Sequence, residues 1–416
     1  MIKPTQTCDA GLDAPPWSLD VPTEAGRPNP VYGPGASRND VAPQSTPVQG
    51  LIPSHYRRMS AAELDDRIAT ARAKLGSRLV ILGHHYQRDE IVRFADFRGD
   101  SFKLSQQAAT RSDAEFIVFC GVHFMAESAD VLSAEHQIVV LPNLAAGCSM
   151  ADMAGPDDVL SCWQQLGQVL GQPSPDDPLA SVLPITYMNS AASLKAFCGR
   201  EGGAVCTSSN ARAVVQWGLA RARRVLFFPD EHLGRNTALA LGARDEEIVV
   251  WDPTKPLGGL TPEAVERARF ILWRGWCSVH MRFTLEQVEQ ARAEHPDVRV
   301  IVHPECRHEV VAAADLAGST EQIVKAIRES PAGTKWAVGT EINLVRRLAA
   351  EMSDRDIWCL DPVVCPCSTM YRIHPAYLCW VLEALVEGRV VNQVKVDPTT
   401  AHWARVALDR MLQIPG

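Results

Sequence analysis

Short apolar runs separated by helical patterns recur along most of the chain: RLVILGHHY, EFIVFCGVHF, QIVVLPNL, RVLFFPD, EEIVVWDP, VRVIVHPE and KWAVGTE. Runs this short and continuous read as strands buried on both faces, as in parallel sheets joined by crossover helices. Ahead of them, SAAELDDRIATARAKLG has Ser60 and Glu63 at capping-box spacing and Gly76 where a helix stops, which predicts a helix between them. Residues 1 to about 53 hold ten of the 28 prolines and show no sustained period, so an extended, largely disordered arm is expected there.

The pattern also repeats. Three times a strand ends in a small polar cluster: GHHY at 83–86, TYMN at 186–189 and HPE at 303–305. Each third also carries a segment rich in small hydroxyl residues, GDS at 99–101, CTSSN at 206–210 and GST at 318–320. Each then has a strand leading to cysteine: NLAAGCSM with Cys148, LWRGWCSVH with Cys277, and LDPVVCPCSTM with Cys365 and Cys367. The interval from Cys148 to Cys277 is longer than that from Cys277 to Cys367 because it contains the insertion GQPSPDDPLASVLP at 171–184. Three units carrying comparable chemistry predict an α/β fold of three similar Rossmann-like, three-layer α/β/α domains around a pseudo-threefold axis. The expected division is an arm at 1–55 and domains at 56–165 with Cys148, 166–280 with Cys277, and 281–416 with Cys367 plus C-terminal helices. Ligands of open α/β sheets sit at the carboxyl ends of the strands, so the three clusters are expected to converge there.

Composition narrows the function. The 416 residues exceed one ordinary core, and the 46% hydrophobic fraction supplies several. A formal net charge of -8 argues against a nucleic-acid partner, which demands a basic face. The absence of any apolar run of about 18 residues argues against a spanning helix. MIKPTQTCDAGLDAPPW has neither the basic nor the apolar part of a secretory signal, so a cytoplasmic location is expected. Twelve cysteines are many for a reducing compartment and favour metal, cluster or catalysis over bridges. One cysteine per repeat is too dispersed for a zinc ribbon or a ferredoxin. Three thiolates on a [4Fe–4S] cube would leave one iron open as a Lewis acid that favours hydroxyl loss. The plainer alternative is that these thiols are buried and unligated.

These motifs, with CGVHFMAESADVL, FFPDEHLGRNTA, VHPECRHEV and VGTEINLV in the same order, closely resemble the quinolinate synthase family over roughly residues 75–380. The resemblance implies a transferase that condenses iminosuccinate with dihydroxyacetone phosphate, releasing phosphate and two waters in de novo NAD synthesis. It implies one [4Fe–4S] cluster on three cysteines, and functional coupling to an L-aspartate oxidase that supplies the unstable imine. Carried over by motif, the ligands are Cys148, Cys277 and Cys367, the last chosen because Met370 follows it by three residues. Cys365 then becomes a neighbour, or a labile oxidation partner of Cys367.

The family pattern places substrate contacts on His84 and Tyr86, with His85 turned away, since strand residues two apart share a face. The same logic pairs Tyr187 with Asn189 and His303 with Glu305. Ser101, Ser208 and Thr320, with Ser319 as the alternative to Thr320, precede helical patterns. Their default role is capping, and the repeat context adds a role in binding carboxylate or phosphate. Glu305 is the expected general base, its pKa raised towards neutrality by a closed site and its proton transfers aided by His303 or Tyr86. Tyr86 and Tyr187 are expected to exchange protons nearby and Asn189 to orient the reacting oxygen. His280 either contacts substrate or supports the cluster. Three rivals remain: an aconitase-like iron–sulfur hydro-lyase, an iron–sulfur electron carrier or sensor with a fourth protein ligand, and a non-metal binding protein with a three-lobed α/β fold.

Overall fold

The computed structural model describes residues 51–171, 182–363 and 366–414. The expected arm up to residue 50, most of the 171–184 insertion and Cys365 lie outside the described residues. Packing starts upstream of Ser60, because Ile52 and Tyr56 are buried. The first helix runs Ala61–Leu75, with the Ser60 hydroxyl accepting from Glu63 N and Gly76 closing it at φ +55°, as the capping signals predict.

Three parallel sheets flanked by helices carry the described residues, which fall into two compact units. One holds the residues up to Ser149 together with Thr340–Val396, and the other Met150–Gly339 together with Asp397–Gly416.

In the first unit, β1 (Leu79–His84), β2 (Phe97–Gly99), β3 (Phe116–Cys120) and β4 (Ile138–Val140) line up as β4-β3-β1-β2. In the second, β5 (Val182–Tyr187), β6 (Ala204–Cys206), β7 (Arg224–Phe228), β8 (Ile248–Trp251) and β9 (Phe270–Trp273) line up as β6-β5-β7-β9-β8. Also in the second unit, β11 (Leu316–Ala317), β10 (Arg299–Val302) and β12 (Lys335–Gly339) lie in the order β11-β10-β12. The strand β13 (Asp356–Cys359) belongs to the first unit, where β14 (Gln393–Val394) adds antiparallel to β4.

The repeat is therefore topological. Each leading strand, β1, β5 or β10, pairs in parallel with a short edge strand just after it in sequence and with a longer strand on its other side. Every residue of β1 and β3 is buried, which explains their unbroken apolar sequence. The edge strands are short, and two are partly or wholly exposed, β2 as Phe-Arg-Gly and β11 as Leu-Ala, so they carry little apolar signal.

The C-terminal helix Pro398–Gln413 packs on the helix Ala192–Arg200 at a contact only glycine permits. A Cβ on Gly199 would lie 2.0 Å from the Trp403 carbonyl oxygen, and Arg410 donates to the Gly199 and Gly203 carbonyls at 3.0 and 2.8 Å. Because the obstacle is backbone, Gly199→Ala is expected to cost about 3 kcal/mol, the upper range for overpacking. Urea denaturation measures it, and an unchanged midpoint would contradict this packing.

Candidate active site

Each repeat builds its polar cluster in the same way. The leading strand reaches its C-terminal end, and a turn swings the next residues over that end. His84 closes β1, and Tyr86 N donates to its Nδ1 at 3.1 Å, with the two rings edge to face at 4.8 Å. In the second cluster, Tyr187 closes β5 and Asn189 stands half-buried in the following bend. In the third, Glu305 N donates to His303 Nδ1 at 3.3 Å just after β10. In the first and third clusters residues two apart are thus brought together by turns rather than by strand pleating. The middle residue is tied down instead: His85 N donates to Gly99 O at 3.1 Å and Met188 N to Cys206 O at 2.8 Å.

In the second unit these positions form a buried proton network. Glu305, only 2% exposed, accepts from Tyr187 Oη at 2.6 Å through Oε1 and lies 2.8 Å from His280 Nδ1 through Oε2. The His280 and His303 rings stack at 4.4 Å with 15° between planes. Burial pushes His303 down to about 3, so it is neutral. The hydrogen bond into its Nδ1 then leaves the proton on Nε2.

The expectation of a raised Glu305 pKa is reversed. Burial does oppose its charge, but the neighbouring imidazoles and the hydrogen bonds from His280 and Tyr187 outweigh it and hold the carboxyl below the usual range. Asp230 shows the opposite balance. It is fully buried, accepts from Leu233 N at 2.6 Å, and burial plus the Glu305 charge push its carboxyl well up. Cys277 is half-buried, and an atom of its side chain, one of His280 and one of Glu305 lie within 4.8 Å of one another.

Asn236 and Lys195 brace this network. From the helix Glu231–Ala240, the Asn236 amide donates to the carbonyls of Pro304 and Cys306, both at 2.9 Å, on either side of Glu305. The fully buried Lys195 ammonium donates to the Ser190 carbonyl and pins the turn after Tyr187.

In the first unit, Tyr86 Oη lies 2.8 Å from Thr340 Oγ1, and Asn343 Nδ2 donates to Tyr86 O at 3.2 Å. Glu341 caps the helix Ile342–Glu351 by accepting from Asn343 N and Leu344 N, and also accepts from Cys367 N at 3.2 Å. Burial pushes Glu341 up to about 7 despite those hydrogen bonds. Sequence reading passed over Glu341 and Asn236, although both lie in quoted motifs, VGTEINLV and FFPDEHLGRNTA. Their roles depend on tertiary register rather than local pattern.

The cysteine loops can be compared one by one. Cys277 and Cys367 start the same turn: Met281 N donates to Cys277 O at 3.1 Å and Tyr371 N to Cys367 O at 2.9 Å. In both, a 3₁₀ turn begins three residues after the cysteine, at His280–Arg282 and Met370–Arg372. Cys148 is followed directly by the short helix Ser149–Asp152. All three thiols are half-buried, as is Cys359 at the end of β13, whereas Cys120, Cys162, Cys198, Cys206, Cys306 and Cys379 are buried. A half-buried thiol in a loop after a strand keeps the access that a ligand needs and that the buried thiols lack.

Capping at these helix starts falls largely to neighbouring side chains. Asp100 receives Lys103 N at the start of the helix Ser101–Thr110, and Ser319 caps Thr320–Glu329 in a capping box with Gln322. Asn210 ties Thr207 ahead of the helix Ala211–Leu219, leaving Ser208 half-buried in the turn. In the third repeat Ser319 is thus the capping hydroxyl, and Thr320 is the first residue of the helix.

Comparison with known proteins decides the kinship. The family model for quinolinate synthetase A protein (NadA) matches residues 66–413. The chain belongs to the quinolinate synthetase A family. It is 59% identical to the quinolinate synthase of Corynebacterium glutamicum over 384 residues, 92% of this chain and 96% of that one. It is 56% identical to the quinolinate synthase of Acidobacterium capsulatum over 87% of this chain and 96% of that one. With that of Rhodopirellula baltica it shares 48% identity over 95% of this chain and the whole of the relative. Among the described residues no helix is long and apolar enough to cross a membrane.

Proposed function

We propose that this member of the family condenses iminosuccinate with dihydroxyacetone phosphate to quinolinate, releasing phosphate and two waters, in the cytoplasm as a step of NAD biosynthesis. In this reading Cys148, Cys277 and Cys367 hold a [4Fe–4S] cluster, and an L-aspartate oxidase supplies the imine. The shared turn geometry of Cys277 and Cys367 supports Cys367 over Cys365. Three protein thiolates would leave one iron of such a cluster open, and it would supply Lewis-acid chemistry suited to hydroxyl loss.

The observation that carries the reading is the Tyr187–Glu305–His280 network beside Cys277. An ionised Glu305 accepts a substrate proton, and the Tyr187 hydroxyl steadies Oε1 while the other oxygen works. His280 stabilises that second oxygen, and the neutral His303 offers its Nε2–H as a donor. Asn189 orients a substrate oxygen. His84, Tyr86 and the hydroxyls of Ser101, Ser208 and Thr320 bind the carboxylates and the phosphate.

Anaerobically purified protein given iminosuccinate and dihydroxyacetone phosphate is expected to form quinolinate and release phosphate in equal amounts. An aconitase-like hydro-lyase would leave the phosphosugar intact, and an electron carrier would consume neither substrate.

A further inference from the structure

Cys277, His280 and Glu305 bring three different donors to one point. Their nearest candidate ligand atoms lie within 4.8 Å of one another, with His280 1% and Glu305 2% exposed. The turn that returns Met281 N to Cys277 O places the thiol and the imidazole three residues on in one loop. We infer that Cys277, His280 and Glu305 form a mononuclear site for a borderline transition dication such as Zn²⁺, Co²⁺ or Fe²⁺.

The donor set selects the ion. A thiolate with an imidazole and a carboxylate suits zinc, cobalt or ferrous iron and disfavours magnesium or calcium, which take oxygen alone. Three protein ligands leave a further position open, as in catalytic rather than structural zinc sites. The spacing is suitable: His280 Nδ1 and Glu305 Oε2 stand 2.8 Å apart, close to what two bonds of about 2.0–2.2 Å to a common ion allow. Charge also balances, because thiolate and carboxylate together neutralise a dication inside a buried site. On binding, the Cys277 thiol gives its proton to solvent and the His280 proton moves from Nδ1 to Nε2.

The surroundings already hold the ligands in place. Tyr187 donates to Glu305 Oε1 at 2.6 Å and leaves Oε2 for the ion, while His303 stacks on His280 and fixes its ring plane. Asn236 anchors the backbone on both sides of Glu305. Where Cys277 also serves a cluster, the two metal states exclude each other, so a single zinc ion would block cluster assembly. That exclusion rests on the reading under Proposed function; the site itself does not.

The test is titration of the full-length, cluster-free protein with Co²⁺ under anaerobic conditions. One equivalent is expected to give thiolate-to-cobalt charge transfer with visible d–d bands, displaced by one equivalent of Zn²⁺. Cys277→Ser should abolish the charge transfer. His280→Gln and Glu305→Gln should each weaken binding at least about tenfold, the loss already typical of an outer-shell partner. Cys148→Ser and Cys367→Ser should leave the spectrum unchanged. Circular dichroism separates a lost ligand from a lost fold. Full affinity in His280→Gln and Glu305→Gln, or loss of the band in Cys148→Ser or Cys367→Ser, would overturn the assignment. Iron and sulfide uptake by the wild-type protein reports on the cluster separately, so either idea can fail while the other stands.

Discussion

Glu305→Gln is expected to lower kcat by about 10²–10⁴-fold, the usual contribution of a positioned general base, while iron and sulfide content stay at the wild-type level. The amide is nearly isosteric, so its oxygen still accepts from Tyr187 and the buried turn after β10 survives. What disappears is the charge that His280 and its neighbours stabilise, and with it the ability to take a proton at Oε2. KM should change little, because the substrate anions are assigned to hydroxyls and histidines elsewhere. Steady-state assay beside metal analysis checks this. Turnover within a few-fold of wild type would move the proton transfers to another group.

The second large effect belongs to the thiols. Cys148→Ala, Cys277→Ala and Cys367→Ala are each expected to abolish cluster assembly. Turnover should fall by about 10³-fold or more, because a Lewis acid supplies several kcal/mol of transition-state stabilisation. Cys162→Ala, Cys198→Ala and Cys359→Ala should keep cluster and activity. The first two thiols are fully buried small side chains in the core, and Cys359 lies 3.9 Å from the Thr340 carbonyl. Anaerobic iron and sulfide counting on the six variants separates the sets, and a full cluster in any of the first three would remove that cysteine from the ligands.

Much of this fold was legible because buried parallel strands write themselves as short apolar runs, and all seven quoted runs contain a strand. The first helix was legible from its caps, since Ser60, Glu63 and Gly76 act locally. The two-residue β14 was not, because so short a strand carries no period of its own and only the tertiary fold brings it to β4. In the site, residues repeated in register could be picked out: His84 with Tyr86, Tyr187 with Asn189, and His303 with Glu305. The supporting residues could not. Glu341 caps a helix where Ser, Thr, Asp or Asn is usual, and Asn236 acts 68 and 70 residues away along the chain. The sign of the Glu305 shift was equally hidden, because burial alone predicts a rise and only the placed His303, His280 and Tyr187 reverse it.

The central claim is that three cysteines hold the cluster and leave one iron for the reactant. Mössbauer spectroscopy of ⁵⁷Fe-loaded protein, with and without a substrate analogue bearing the pyridine dicarboxylate framework, measures this most directly. The account predicts that one iron subsite changes its isomer shift and quadrupole splitting on binding while the others stay fixed. Spectra identical with and without the analogue, at concentrations where binding is shown independently, would contradict it.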